Sequence, residues 1–172
     1  MHKTTRFWPA EEEAHIKASW VFDGKILCWA RKANGGKKVG DPVGVSVRKS
    51  GHENVYLQVN GKLRGYVLAR IVWFLTHGVQ AKGVVEHADC NPKNNCPSNL
   101  RLATQSQNMA NTRVGRTGNT EKGVYQDRRN GKWHFQVCKE SKVSGGYGFK
   151  TREAAYAARM KKATELFGEF AR

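Results

Sequence analysis

Residues 84–111 read VVEHADCNPKNNCPSNLRLATQSQNMAN. Val84 and Val85 open a short strand that ends on Glu86-His87. Asp89, Asn91, Pro92, Asn94, Asn95 and Pro97 then mark an irregular loop, because Asx side chains bond nearby backbone and proline fixes φ. Leu100-Arg101-Leu102 alternates and returns as a second strand. Thr104-Gln-Ser-Gln107 has the spacing of a capping box, in which the Thr hydroxyl and the Gln amide each satisfy an orphan backbone N–H, so a helix starts at Gln105. Asn108 lies one turn into it. This order of strand, loop, strand and helix leaves His87, Asn99 and Asn108 free to converge. A hydrophobic core has no use for so many amides beside a carboxylate and an imidazole. The bland alternative is a polar loop stapled by its own turns, with His87 a satisfied strand-end histidine.

Working outward, Val67–His77 (VLARIVWFLTH) is too densely apolar for a surface helix, and Gly78 can end it in the left-handed conformation. It reads as core support, with Trp73 and Phe74 as packing residues. Upstream, 10–18 forms a short helix with acids in its first turn. Trp20–Phe22, Asp23-Gly24 and Ile26–Trp29 form a hairpin. A β-meander follows: Val43–Val47, then Val55, Leu57 and Val59 on a core face, then Asn60-Gly61 turning into Lys62–Tyr66. Between them, 30–42 is a basic, glycine-rich loop that suits a phosphate backbone or water equally.

The chain has 172 residues, with 30 Lys+Arg against 14 Asp+Glu, a formal net charge of +16. That excess favours a polyanionic partner and salt-dependent binding. Most of it lies in the segments flanking 67–112. No apolar run approaches membrane-spanning length, and the opening residues lack an apolar signal segment, so the expectation is a soluble protein of the cytoplasm with no membrane partner. Cys28, Cys90, Cys96 and Cys138 form no CxxC pair, and structural zinc is not expected.

The words LARIVWFLTHG, VVEHADCNPKNN and SNLRLATQSQN carry a resemblance. The sequence resembles the HNH nucleases, and most closely the phage-type HNH homing endonucleases, over residues 20–112 and most strongly over 67–111. The resemblance implies a ββα-metal core that hydrolyses phosphodiester bonds of double-stranded DNA at a long site. It makes His87 the general base, a role that suits an imidazole. Asn99 becomes the residue whose amide orients the His87 ring. Glu86 and Asn108 become ligands of one divalent cation, Mg²⁺ or Mn²⁺, which hard oxygen donors suit. It also implies a mobile, phage-borne gene acting in a bacterial cytoplasm. The chain departs from the family at Glu86, where relatives usually carry Asp, at Ala69, where many carry His, and at Cys90, where Gly is common. These departures keep a rival open: a DNA-binding protein that retains the fold without cleavage.

Residues 113–121 read as a polar linker whose Arg113 and Arg116 can cross a DNA backbone. Beyond it, Lys122–Gln126 is predicted as a strand, Asn130-Gly131 as a turn tip, Trp133–Lys139 as an alternating strand and Tyr147–Phe149 as a third strand. Thr151 can N-cap a helix over Arg152–Phe167. The stretches KGVYQDRRNGKWHFQV, YGFKTREAAYAAR and LFGEFAR resemble the Apetala-type (ethylene-response-factor) DNA-binding domain. That resemblance points Lys122, Tyr125, His134 and Gln136 toward bases, and Arg128, Arg129 and Lys132 toward phosphates. The alternative is that His134 and Gln136 are the wet face of a sheet.

The expected architecture is α+β: an N-terminal β-rich region over 1–66, a nuclease core over 67–112, a linker over 113–121, and a three-stranded sheet plus helix over 122–172. Two different binding elements in one chain suit a monomer, since a palindromic site calls for two copies.

Overall fold

A computed structural model describes residues 7–112 and 122–172. Arg113 and Arg116 lie outside the described residues. Helix and sheet are mixed throughout, and the chain divides into two compact units, Met1–Leu102 and Ala103–Arg172.

The first unit begins with α1 (Ala10–Ser19), whose first turn carries Glu11, Glu12 and Glu13. Glu12 is buried and accepts a 2.7 Å hydrogen bond from the Tyr66 hydroxyl. β1 (Trp20–Phe22) and β2 (Leu27–Trp29) pair as an antiparallel hairpin. Asp23 Oδ1 caps its turn, accepting from the backbone N–H groups of Lys25 and Ile26 at 2.8 Å. β3 (Ser46–Val47), β4 (Glu53–Val59) and β5 (Lys62–Val67) form a three-stranded antiparallel sheet in that order. β3 is shorter than the alternating Val43–Val47 predicts. Val43 donates its N–H to Leu27 O at 2.8 Å and is buried, so that end of the stretch belongs to the first hairpin. On β4 the alternation holds: Val55, Leu57 and Val59 are buried while Tyr56 is exposed. Asn60 and Gly61 both have positive φ, the mirror-image turn that matches strand twist.

α2 (Leu68–His77) ends at Gly78, whose φ of 74° is left-handed and whose N–H bonds Phe74 O. Ile71, Val72 and Phe74 are fully buried, with Ile16, Trp20 and Val55, in one core. Burying each such side chain contributes roughly 1.5–3 kcal/mol. Arg70, on the same helix, donates to Gly83 O at 2.9 Å and Ala81 O at 2.8 Å, fixing the connection that leads to the next strand. β6 (Val84–His87) then pairs with β7 (Leu100–Ala103), and a 3₁₀ turn over Pro97–Asn99 closes the loop between them.

The second unit holds α3 (Gln105–Asn111), β8 (Val124–Gln126), β9 (Trp133–Lys139), β10 (Lys142–Phe149) and α4 (Arg152–Phe167). The Thr104–Gln107 capping box forms with both reciprocal bonds. The three strands make an antiparallel sheet with β9 in the middle. α4 packs on it through Ala155 and Ala163, whose small side chains let helix and sheet approach, in one core with Phe135 and Val137 of β9 and with Phe167 and Phe170 at the helix end. Thr151 Oγ1 caps α4 by accepting from Ala154 N. β8 starts at Val124, not at Lys122. Gly123 sits at φ 68°, and a Cβ there would meet Gln136 O at 2.5 Å, so the strand entry requires glycine. β10 is longer than predicted and irregular between Gly146 and Phe149.

Candidate functional site

The β6–β7 loop is a hydrogen-bonded structure built from its own Asx residues. Asp89 Oδ1 accepts from Asn91 N at 2.7 Å, and Asp89 Oδ2 accepts from Asn94 Nδ2 at 2.8 Å. Asn99 reaches back across the loop: its Oδ1 accepts from Asp89 N, and its Nδ2 donates to Asp89 Oδ1 and to Asn94 O. Ala88 N–H bonds Asn99 O. Burial raises the Asp89 carboxyl, but the bonds from Asn94, Asn91 and Asn99 and the neighbouring His87 together hold it below the ordinary carboxylate value.

The bonds of the Asn99 amide go to Asp89 and Asn94 within the loop. His87 Nε2 lies 3.1 Å from Asn95 Oδ1, and Asn95 Nδ2 donates to Glu53 Oε2 at 2.9 Å. Glu53 is the first residue of β4, so the N-terminal sheet reaches the site. His52, beside it, has its ring centroid 5.8 Å from that of His87. Burial, His87 and Arg48 all push the His52 pKa down. Sequence reading missed Asn95, Glu53 and His52. Asn95 was in view only as a turn residue, and nothing local ties residues 52–53 to residue 87.

Glu86 and His87 are both buried at the end of β6. Arg101 on β7 donates from Nε to Glu86 Oε1, a side-chain ion pair. Glu86 Oε2 is buried with no hydrogen-bond partner among the described residues. A buried carboxylate oxygen left so is costly unless a cation or donor meets it, and hard oxygen suits Mg²⁺ or Mn²⁺. The donor chemistry at Glu86 therefore fits a divalent ion. Among the described residues no cluster of three or more His, Cys, Asp or Glu converges as a ready metal cage. Asn108 lies on α3, half-buried, in the second unit. Ala69 is buried on α2 and contributes packing only. Cys90 adopts φ 58°, the left-handed conformation that glycine takes without strain.

In the second unit, one sheet face carries a row of rings. Tyr125 stacks on His134 with centroids 5.5 Å apart, and His134 on Tyr147 at 5.6 Å. Gln136 shares this exposed face, and Arg128, Arg129 and Lys132 are exposed at the β8–β9 turn. Tyr147, which the sequence reading placed in a strand without a role, completes the row. Lys122 departs from its expected place. Its Nζ donates to the backbone carbonyls of Met109, Ala110 and Thr112, so it caps the C-terminus of α3. The carbonyls at the end of α3 and the negative end of the helix dipole account for its charge.

Comparison with known proteins agrees with the location of the loop. The family model for HNH endonuclease matches residues 66–110. A protein of Acanthamoeba polyphaga mimivirus, named as an uncharacterised HNH endonuclease, is 39% identical over 87 residues, covering 51% of this chain and 44% of that protein. Protein 3.8 of Escherichia phage T7 is 31% identical over 107 residues, covering 59% of this chain and 84% of that protein. The chain thus spans less than half the length of the mimivirus relative. No solved structure gives a significant match. The family segment lies on α2, β6, β7 and the loop that presents Glu86 and His87, so residues 66–110 of this chain are similar to the HNH endonuclease domain.

Proposed function

We propose that this chain is a divalent-metal-dependent endonuclease that cuts double-stranded DNA, with residues 67–112 as nuclease core and 122–172 as a DNA-binding module joined by a linker over 113–121. The observation that carries the reading is the pair at the end of β6: a buried Glu86 with an unpartnered oxygen beside a His87 whose ring is held by Asn95. A bound cation, Mg²⁺ or Mn²⁺, would neutralise charge on the scissile phosphate and on the leaving 3′ oxygen. His87 takes the proton from the attacking water. Glu86 Oε2 would provide a hard oxygen for the cation, and Arg101 holds the other oxygen so that the carboxylate cannot swing away. Asn99 keeps the loop in the shape that presents both residues. The assignment of Asn108 as the second ligand rests on the family resemblance.

The second unit supplies grip and site preference. Its exposed face presents Tyr125, His134 and Gln136, with Arg128, Arg129 and Lys132 at the turn, and the whole chain is strongly basic. Basic side chains hold phosphates while side chains on the sheet meet base edges. The resemblance of this segment to the Apetala-type domain supports that role and a long recognition site of the homing kind. Described helices include none long and apolar enough to cross a membrane. Action on DNA as a monomer in a bacterial cytoplasm accords with the phage relative and the two unlike binding elements.

The Glu86–Arg101 ion pair favours one rival, a DNA-binding protein in which the guanidinium has taken the place of the ion. Supercoiled plasmid incubated with Mg²⁺ or Mn²⁺ separates the two. Open-circle or linear product from wild type, lost with EDTA and in His87→Ala while DNA binding persists, is the expected outcome. Binding without cutting under every metal would overturn the nuclease reading in favour of the rival.

A further inference from the structure

Asn95 lies between a carboxylate and an imidazole, and the chemistry of the carboxylate fixes which way its amide faces. Glu53, when ionised, offers only acceptors, so the atom 2.9 Å from its Oε2 has to be the amide nitrogen. The amide oxygen therefore faces His87 Nε2 at 3.1 Å. That oxygen can only accept, so Nε2 carries the hydrogen. A neutral imidazole has one ring hydrogen, and the lone pair is then on Nδ1. Reversing the amide would set two acceptors together at Glu53, so the carboxylate alone fixes its direction.

We infer that Glu53 and Asn95 form a positioning relay that sets the tautomer of His87 and makes Nδ1 the nitrogen that receives the proton. The proton-transfer consequence rests on the nuclease reading above; the tautomer does not. Glu53 is a fixed anchor because it opens β4, paired with Val47 of β3, while Asn54 next to it pairs with Val67 of β5. Asn95, by contrast, belongs to the β6–β7 loop. The relay thus ties the imidazole at the end of β6 to a sheet formed some 30 residues earlier, outside the family segment at 66–110. His52 sits nearby but does not carry the relay: its Nδ1 is engaged by the Ser50 hydroxyl at 3.1 Å. Neither Glu53 nor Asn95 touches the phosphate in this scheme; both act through His87.

The test uses uniformly ¹⁵N-labelled full-length protein without metal, with the His87 ring signals assigned by their loss in His87→Gln. Long-range ¹H–¹⁵N correlation spectra distinguish the two tautomers directly. Wild type is expected to show Nε2–H. In Glu53→Gln the new amide can donate, Asn95 loses its fixed direction, and the Nδ1–H form is expected to appear. The double variant Glu53→Gln/Asn95→Asp restores an acceptor facing Nε2 with a donor behind it, and Nε2–H is expected to return. In plasmid nicking, Glu53→Gln is expected to lower kcat roughly 10- to 100-fold, the usual loss for a residue that orients an active one, with KM for DNA unchanged. The double variant regains most of that loss, which a general loss of stability would not do. An Nδ1–H ring in wild type, or identical ring spectra in wild type and Glu53→Gln, overturns the relay. If wild type fails to cut DNA under any metal, the nuclease reading and the proton-transfer role fall, and the ring spectra alone decide whether the relay exists.

Discussion

Asn99 and Asp89 hold each other by two reciprocal bonds: the Asp89 N–H donates to Asn99 Oδ1 and the Asn99 amide donates to Asp89 Oδ1, each at 3.0 Å. The pair closes the β6–β7 loop like a clasp. Asn99→Ala removes both bonds and the third to Asn94 O, leaving several partly buried groups without partners. Each such group costs about 1–3 kcal/mol, partly relieved by water at this half-exposed site. The expected result is a lower urea midpoint at unchanged slope. Cleavage should fall with the loop's geometry while the His87 tautomer, set elsewhere, stays as in wild type.

Acid should open the same clasp. Burial raises the Asp89 carboxyl, but hydrogen bonds from Asn94, Asn91 and Asn99 and the nearby His87 together hold it below its ordinary value. A carboxylate with a depressed folded-state pKa contributes stability that is fully present above its unfolded value, near 4, and is lost as pH falls through the lower folded value. Urea midpoints measured downward from pH 5 should therefore drop in wild type. Asp89→Asn should begin less stable at pH 6 and show a shallower drop. Parallel curves for the two proteins would assign the acid loss to other carboxylates.

Much of this site was legible because its signals are local. The capping box at Thr104–Gln107, the Asn60-Gly61 turn and the Gly78 stop each depend on residues within one turn, and each formed as read. The contacts that local sequence does not give depend on distant partners. Asn99 and Asn95 are chemically the same side chain in one loop, and it is Asn95 that meets both His87 and Glu53 from distant β4. Lys122 reads as a strand residue with a free charge until α3's carbonyls are brought beside it. Tyr147 is exposed and gains meaning only when the irregular pairing of β10 sets it on His134.

Cys90 offers a stabilising change. An L-residue in the left-handed conformation costs roughly 1–2 kcal/mol, which glycine avoids, although glycine adds freedom to the unfolded chain worth about 0.5–1 kcal/mol. Cys90→Gly is expected to raise stability modestly, by up to about 1 kcal/mol, and Cys90→Val to lower it. Thermal melts of the three proteins in reducing buffer check the order.

The C-terminal turn should dominate the salt dependence of binding. Arg128, Arg129 and Lys132 are exposed and solvated. Each one that neutralises a phosphate releases a counterion, so each alanine substitution should reduce the slope of log K against log salt by about 1 without regard to DNA sequence. Titration of a labelled duplex at several salt concentrations measures this. Unchanged slopes for all three variants would remove this turn from the DNA interface.

Lys122 separates structure from binding most directly. Its ammonium meets the carbonyls of Met109, Ala110 and Thr112 at the end of α3. Lys122→Met keeps the alkyl stem and removes the charge. Charge-assisted bonds at a partly exposed helix end contribute about 1–2 kcal/mol, so a lower urea midpoint of that size is expected. The salt slope of DNA binding should remain that of wild type, because the charge already serves the helix. A reduced slope with unchanged stability would return Lys122 to the role its sequence position first indicated, on the face that meets DNA.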